Sequence, residues 1–272
     1  MFGKKKKKIG LALGGGGTRG IAHLGAIRAF NENGIRFDMV SGSSAGAMAA
    51  ALYCAGLSFE EMHAAASKLK REDILSSRIF FIPSDPRRVE ETVKKVLGRR
   101  DDFASCKTPL CILSTDVVSG KEYIFESGSI SRAVSASCAV PLFFAPVIEG
   151  DQILMDGGLL SNIPAGMLRD RGCDIVISVS VGDLSTPIAK SSGMIEVAYA
   201  SIKIMLRNSS VNGKQLSDIV IEPELGKHKH HKLEKIDELI EAGYRATMAQ
   251  IPKINELLNK GKRGTFVQNT KD

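Results

Sequence analysis

The stretch Val40-Ser41-Gly42-Ser43-Ser44-Ala45-Gly46 decides how the rest of the chain is read. It contains Gly42-x-Ser44-x-Gly46, the spacing of a sharp turn that carries a strand into a helix and lifts its central serine clear of the sheet. Phe37, Met39 and Val40 before it suit a strand, and Ala47-Met48-Ala49-Ala50-Ala51-Leu52-Tyr53 after it is strongly helix-forming. The turn is crowded, so its flanking positions must be small, and Gly42, Ala45 and Gly46 meet that need. The spacing selects Ser44 and leaves Ser43 as the variable position. Five positions with three fixed also recur by chance, so a plain Gly/Ser turn stays open on these residues alone.

Upstream, Ile9–Leu13 reads as a short apolar strand, followed by Gly14-Gly15-Gly16-Gly17-Thr18-Arg19-Gly20. Ile21–Phe30 then reads as a helix, with Ile21, Leu24 and Ile27 at helical spacing. A glycine loop between a strand and a helix presents bare N–H groups at the positive end of the helix dipole and so binds negative charge. Three chemistries share that physics. A nucleoside triphosphate site lacks its G-x-x-x-x-G-K-[ST] signature. A dinucleotide site, and with it an oxidoreductase, fits Gly15-x-Gly17-x-x-Gly20, and Asp38 lies 18 positions beyond Gly20. However, Asp38 stands before the second strand rather than at its end. The third is an oxyanion hole beside a nucleophile.

The chain has 272 residues, 43% of them hydrophobic, enough for one large α/β domain or two small ones. The net charge of +7 is partly local, because Lys4–Lys8 supply five positive charges. With aromatics at 6% and no Trp, a nucleic-acid face of interleaved basic and aromatic residues is not expected. Five scattered cysteines without a C-x-x-C fit free thiols in a reducing compartment. The apolar run after the lysines is too short for a signal-peptide core, and no stretch approaches the roughly 20 apolar residues of a membrane span. The expectation is a soluble, cytoplasmic protein. Lys4–Lys8 and the apolar Ile79–Ile82 are candidate contacts with the anionic inner face of a membrane.

Further along, Ser58-Phe59-Glu60-Glu61 is a capping box opening a helix to about Leu69, and Asp85-Pro86 starts another that ends at Gly98. Arg71–Pro83 reads as irregular. Pro109–Val118 reads as a buried strand, Lys121–Glu126 as its return arm, and Ser129–Ser137 as a helix. Phe143–Ile148 and Gln152–Met155 read as two strands around Glu149-Gly150-Asp151. Asn162-Ile163-Pro164 introduces a helix to about Arg171, Asp174–Val181 is a strong buried strand, a helix spans Met194–Asn208, and a strand spans Asp218–Ile221. The last helix begins near Leu233, with Pro252 expected to kink or break it. Alternating strands and helices predict a mostly parallel sheet covered on both faces. No interdomain linker is evident: a basic tail over 1–8 precedes a single domain over 9–258 and a polar tail over 259–272.

A serine nucleophile needs a base. His228, His230 and His231 come late enough in the chain for a serine-acid-histidine order, but Lys227–Lys232 reads as a solvated loop. No carboxylate or cysteine spacing supports a zinc site there. His23 reads as structural, near the glycine loop. The remaining base is a carboxylate. Asp156-Gly157-Gly158 alone is a turn, yet Asp156 follows the strand Ile153-Leu154-Met155, and a buried carboxylate within reach of a hydroxyl can act as its base.

Taken in order, G-G-G-T-R-G, G-S-S-A-G and D-G-G resemble the patatin-like phospholipase family of serine acyl hydrolases. The segment Ala136–Pro141 with Phe143-Phe144-Ala145-Pro146, and Asn162-Ile163-Pro164, resemble the family as well. The resemblance runs from residue 9 to about 181. It implies a three-layer α/β/α sandwich and metal-free, cofactor-free hydrolysis of lipid acyl esters, of phospholipase A, lysophospholipase or carboxylesterase type. It also implies Ser44 as nucleophile, Asp156 as its partner in a Ser–Asp dyad, Gly15, Gly16 and Gly17 as the oxyanion loop, and Arg19 as the loop's basic residue. A non-catalytic lipid-binding module on the same fold is the remaining alternative.

Overall fold

The computed structural model describes residues 7–74, 83–182, 193–226 and 235–259. Along these the chain forms β1 (Ile9–Leu13), α1 (Ala22–Glu32), β2 (Met39–Ser43), α2 (Ala45–Cys54), α3 (Phe59–Lys68), α4 (Arg71–Ile74), α5 (Arg87–Leu97), β3 (Leu110–Asp116), β4 (Lys121–Phe125) and α6 (Ile130–Ser137). It continues through β5 (Val147–Glu149), β6 (Gln152–Asp156), α7 (Gly158–Ser161), α8 (Ala165–Asp170), β7 (Ile175–Val179), α9 (Met194–Gln215), β8 (Ile219–Ile221) and α10 (Ile236–Asn259).

Side-chain alternation along the strands sets three layers. Leu11, Leu13, Val40, Leu110, Ile112, Ile177 and Val179 face a large core closed by α1, α2, α5, α6 and α10. Ala12, Cys111, Leu113 and Val176 face the other way, onto smaller clusters with Ile163, Met167 and Leu168 of the α8 region. Strands buried on both faces read as continuous apolar runs, as β1, β3 and β7 do.

The sheet is mixed and mostly parallel. β3, β2, β1, β7 and β8 run parallel in that order; at the β3 side β4 and β6 each pair antiparallel with β3, and β5 pairs antiparallel with β6. Registers at β3 fix where the additions lie. Ile112 and Leu113 pair with both β2 and β4, so those two strands occupy opposite edges of β3. Ser114–Asp116 pair with both β4 and β6, so β6 lies on the β2 edge. β2 therefore runs beside β3 only as far as Ser43, and β6 enters the same lane from the opposite end and stops at Asp156.

Several elements depart from the sequence reading. Phe143–Pro146 is not strand: the Phe143 and Phe144 N–H groups both donate to Val140 O (3.1 and 3.0 Å), Leu142 has φ 72°, and β5 begins only at Val147. The Met194 helix runs on to Gln215. Arg71–Ile74 is a helical turn; Ile79–Ile82 lie outside the described residues, as do Lys4–Lys6, Lys227–Lys232 and residues 260–272. Pro252 neither breaks nor ends α10. It forfeits one helical hydrogen bond, but Thr247, Ile251 and Ile254 are buried on either side of it and hold the helix in register.

Candidate active site

β2 ends where the turn requires a backbone that side chains seldom adopt. Ser44 has φ 53° and ψ −126°, a conformation that costs of order 1–3 kcal/mol and persists only where its surroundings over-determine it. Its carbonyl accepts from Ala47 N–H (2.9 Å) and Met48 N–H (3.3 Å), and its N–H donates to Ser137 Oγ (2.8 Å). Gly46 is there because a Cβ would strike the carbonyl of Leu13 in the neighbouring strand. The result places Ser44, 8% exposed, at the amino end of α2.

Asp156 arrives from the other direction. Ser43 pairs with Leu113 and Asp156 with Ser114, so the two strand ends face each other one residue apart along the edge of β3. One residue is a rise of about 3.4 Å along β3, and it brings together strand ends more than a hundred positions apart in the sequence. Asp156 N–H donates to Ala139 O (2.9 Å), and Thr115 Oγ1 donates to Asp156 O (3.0 Å). Its carboxylate is 1% exposed. Oδ1 accepts from Gly158 N–H (2.8 Å), and Oδ2 has no partner of full hydrogen-bond geometry among the described residues. Burial pushes the acid up to about 6, against the Ser44 side chain and the Gly158 N–H, which both favour the carboxylate. Ser44 thus lies near enough to act on Asp156 electrostatically, while the hydrogen bond between them is not drawn tight.

The glycine loop lies against the same point. A Cβ on Gly15 would come within 3.1 Å of Ser44 Cβ and overlap Asn162 Oδ1, so only glycine permits this approach. Gly15 N–H, however, donates to Asn162 O (3.0 Å), so in this arrangement it is not free to serve as an oxyanion donor. Gly17 opens the 3-10 turn Gly17–Ile21, and Ala45 opens α2; N–H groups at such starts have no intrahelical partner. Arg19 is buried, with Nε donating to Val181 O (2.8 Å) and Nη1 to Gly226 O (3.3 Å), which ties the loop to the chain beyond β7 and β8. His23 is fully buried with Nε2 2.8 Å from Gly14 O. Burial pushes it down to about 4, so it is neutral at neutral pH and braces the loop with its Nε2–H.

Two residues near the site carry roles that the sequence reading missed. The sequence marks Ser137 only as the end of a helix and Asn162 only as the start of one. Both bridge segments far apart in the chain, and no local pattern signals that. Asn162 Nδ2 donates to Ser210 Oγ (3.0 Å) and reaches Gly15 O (3.5 Å), joining the glycine loop to α9. Asp38 lies at the other end of the sheet, accepting Ile9 N–H at 2.8 Å, and cannot serve a ligand held by the glycine loop. His63 pairs with Asp237 (2.7 Å) beside a surface cavity of about 350 Å³ lined by Arg28, Phe59 and Ile240, none of which belongs to this site. His228, His230 and His231 lie outside the described residues. Among the described residues no cluster of His, Cys, Asp and Glu could hold a metal ion, and no helix is long and apolar enough to cross a membrane.

A three-layer α/β/α fold with a serine on a strained strand-to-helix turn, facing a buried aspartate and a glycine loop, defines the class. Residues 11–169 match the patatin-like phospholipase family, and the chain belongs to that family. It is 29% identical over 272 residues to an uncharacterized NTE family protein of Mycobacterium tuberculosis, covering 90% of this chain and 46% of that one. It is 32% identical over 197 residues to lysophospholipase nte1 of Neurospora crassa, covering 67% of this chain and 13% of the fungal protein. The chain thus spans about half the length of the mycobacterial relative and a small part of the fungal one. Among solved structures, VipD from Legionella pneumophila superposes with TM-score 0.61 at 16% identity, over 94% of this chain and 67% of that one. Human GIVD cytosolic phospholipase A2, in complex with methyl gamma-linolenyl fluorophosphonate and terbium chloride, gives 0.55 at 12% identity, over 94% and 59%. Both likenesses concern the fold.

Proposed function

We propose that the chain is a serine acyl hydrolase acting on lipid esters, with Ser44 as nucleophile and Asp156 as its base. The observation that carries this reading is the meeting of a strained serine with a carboxylate 1% exposed and raised to about 6. A base of that pKa is ionised at neutral pH yet able to hold a proton in the transition state.

Asp156 takes the proton of the Ser44 hydroxyl as Oγ attacks the ester carbonyl carbon. The oxyanion that forms lies against the glycine loop and the start of α2, where the N–H groups of Gly17 and Ala45 and the α2 dipole favour negative charge. Asp156 returns the proton to the departing alkoxide, so an alcohol leaves and Ser44 is acylated. Asp156 then deprotonates water, hydroxide attacks the acyl carbon, the fatty acid leaves, and Ser44 Oγ recovers its proton. Arg19, through its carbonyl contacts, holds the loop rather than the substrate. No metal or cofactor enters these steps.

Membership of the patatin-like phospholipase family and likeness to a protein named lysophospholipase support lipid esters as the substrate class. Apolar side chains are exposed on α9, among them Met194, Ile204 and Met205, and on α7 at Leu160; α9 meets the Asp156 loop through Leu206, whose side chain lies against Gly158, and the exposed groups suit peripheral contact with a lipid surface. We place the working protein in the cytoplasm, at such a surface, as one catalytic domain over 9–258, with no nucleic-acid partner. The test is hydrolysis of a lysophospholipid and of a nitrophenyl ester, with fluorophosphonate labelling mapped by peptide. Turnover with the label on Ser44 is expected; turnover with the label elsewhere, or no turnover, would overturn the reading.

A further inference from the structure

The lane beside β3 has a gap in it. β2 leaves after Ser43, which pairs with Leu113, and β6 ends at Asp156, which pairs with Ser114. Backbone groups at such a break must find other partners. One side chain supplies them: Ser137 Oγ accepts Ser44 N–H (2.8 Å) and donates to Leu113 O (2.6 Å). Two residues later Ala139 O accepts Asp156 N–H (2.9 Å). Ser137 is fully buried at the end of α6. The three-residue segment Ser137–Ala139 thus holds the backbone of Ser44 at one end and that of Asp156 at the other.

We propose that Ser137 is a positioning residue for the Ser44–Asp156 pair, its hydroxyl replacing the missing rung between β2 and β6 and fixing how far the serine stands from the acid. This rests on the hydrolase reading of the same site. A hydroxyl suits the task because it accepts and donates at once, and both capacities are used. The strained Ser44 backbone needs such a tether. Without it the Ser44 N–H and the Leu113 carbonyl lose their partner together, and the serine is free to move off its line to Asp156. Besides burial, the groups that act on Asp156 are the Ser44 side chain and the Gly158 N–H; the titratable neighbour from the end of α6 is the Cys138 thiol, which burial and then the Asp156 charge hold protonated far above neutral pH.

The test compares Ser137→Ala with Ser135→Ala. Ser135 is buried on the same helix and donates only to Arg132 O within it (2.9 Å), so its loss reports on α6 alone. Ester hydrolysis, fluorophosphonate labelling at Ser44 and thermal midpoint are measured for both, with wild type and Ser44→Ala alongside. Ser137→Ala is expected to lose at least about tenfold in kcat and in labelling rate with KM little changed, since misplacing reacting groups by an ångström is that costly. Its acidic pH limb should move upward, because a displaced Ser44 no longer favours the Asp156 carboxylate. Ser135→Ala should lose stability only. Ser137→Thr, which keeps the hydroxyl, should recover most of the rate. Equal loss of stability in both alanine variants, with kcat and the pH limb of Ser137→Ala at wild-type values, would overturn the proposal while leaving the hydrolase reading intact. A wild type that neither labels nor turns over would overturn both. Should Ser137→Ala not fold, Ser137→Cys serves: sulfur is a weak acceptor, so a reduced kcat and a shifted limb are expected, and wild-type kinetics would again overturn the proposal.

Discussion

The two halves of the lane beside β3 are built in opposite ways. The β2 half is local: strand, turn and helix follow within sixteen residues, and the glycines and alanines that let Ser44 into its strained turn are its immediate neighbours. The β6 half is assembled from afar. Asp156 owes its place to pairing with Ser114 and to hydrogen bonds from Thr115 and to Ala139. One half stores backbone strain and the other a buried charge. Neither is a good bargain for stability alone, and their meeting at one point is what the functional reading explains.

Removing the proposed nucleophile is the harshest way to separate the halves. Ser44→Ala should lower ester hydrolysis by roughly a thousandfold or more and abolish fluorophosphonate labelling while the sheet stays intact, as circular dichroism would report. Next comes displacement of the acid. A Cβ on Gly157 would drive into the Leu113 carbonyl oxygen, a backbone atom that cannot yield cheaply. Gly157→Ala should therefore cost about 1–3 kcal/mol in denaturant titrations and suppress activity, though it removes no functional group.

The buried charge gives a smaller, pH-dependent effect. The folded-state pKa of Asp156 is raised from 3.8 to about 6. The native state therefore binds the proton more tightly than the unfolded chain between those values. This contribution is fully present below about pH 4 and is lost as pH rises through 6. Two units correspond to roughly 3 kcal/mol. Asp156→Asn should accordingly be more stable than wild type at pH 8 by up to about that amount, with the gain gone at pH 4. His23 shifts the other way, from 6.5 to about 4, and its contribution is lost as pH falls. Both proteins carry His23, so their difference isolates Asp156. Smallest of all, Ser44→Gly should relieve the φ 53° strain and raise stability by about 1 kcal/mol while destroying activity. A loss of stability instead would mean that the Ser44 side chain, not the turn, supports this half.

The same contrast accounts for what could be read from the sequence. The Ser44 turn, the strand and loop around Gly14–Gly20, the capping box at Ser58–Glu61 and the buried runs of β3 and β7 were legible, because their causes lie within a few residues. The capping box is present as expected, with Ser58 Oγ accepting Glu61 N–H (3.2 Å). The partnership of Asp156 was visible only through the order of motifs, since Asp-Gly-Gly after a strand is otherwise a turn. That β6 would share an edge of β3 with β2 was not legible, nor was the rung supplied by Ser137. Nor was the commitment of Gly15 N–H to Asn162 O, which depends on a pairing 147 positions long. That the helix runs on through Pro252 without a break was not legible either, because tertiary burial overrode a local rule.

On the proposed mechanism Ser44 and Asp156 act as one unit. Its most direct test is the rate of fluorophosphonate labelling at Ser44 as a function of pH, in wild type and in Asp156→Asn. The wild-type rate is expected to climb through about pH 6 and then level, and the variant to give a slow, flat profile. An Asp156→Asn protein that labels at the wild-type rate with the same acidic limb would contradict the mechanism.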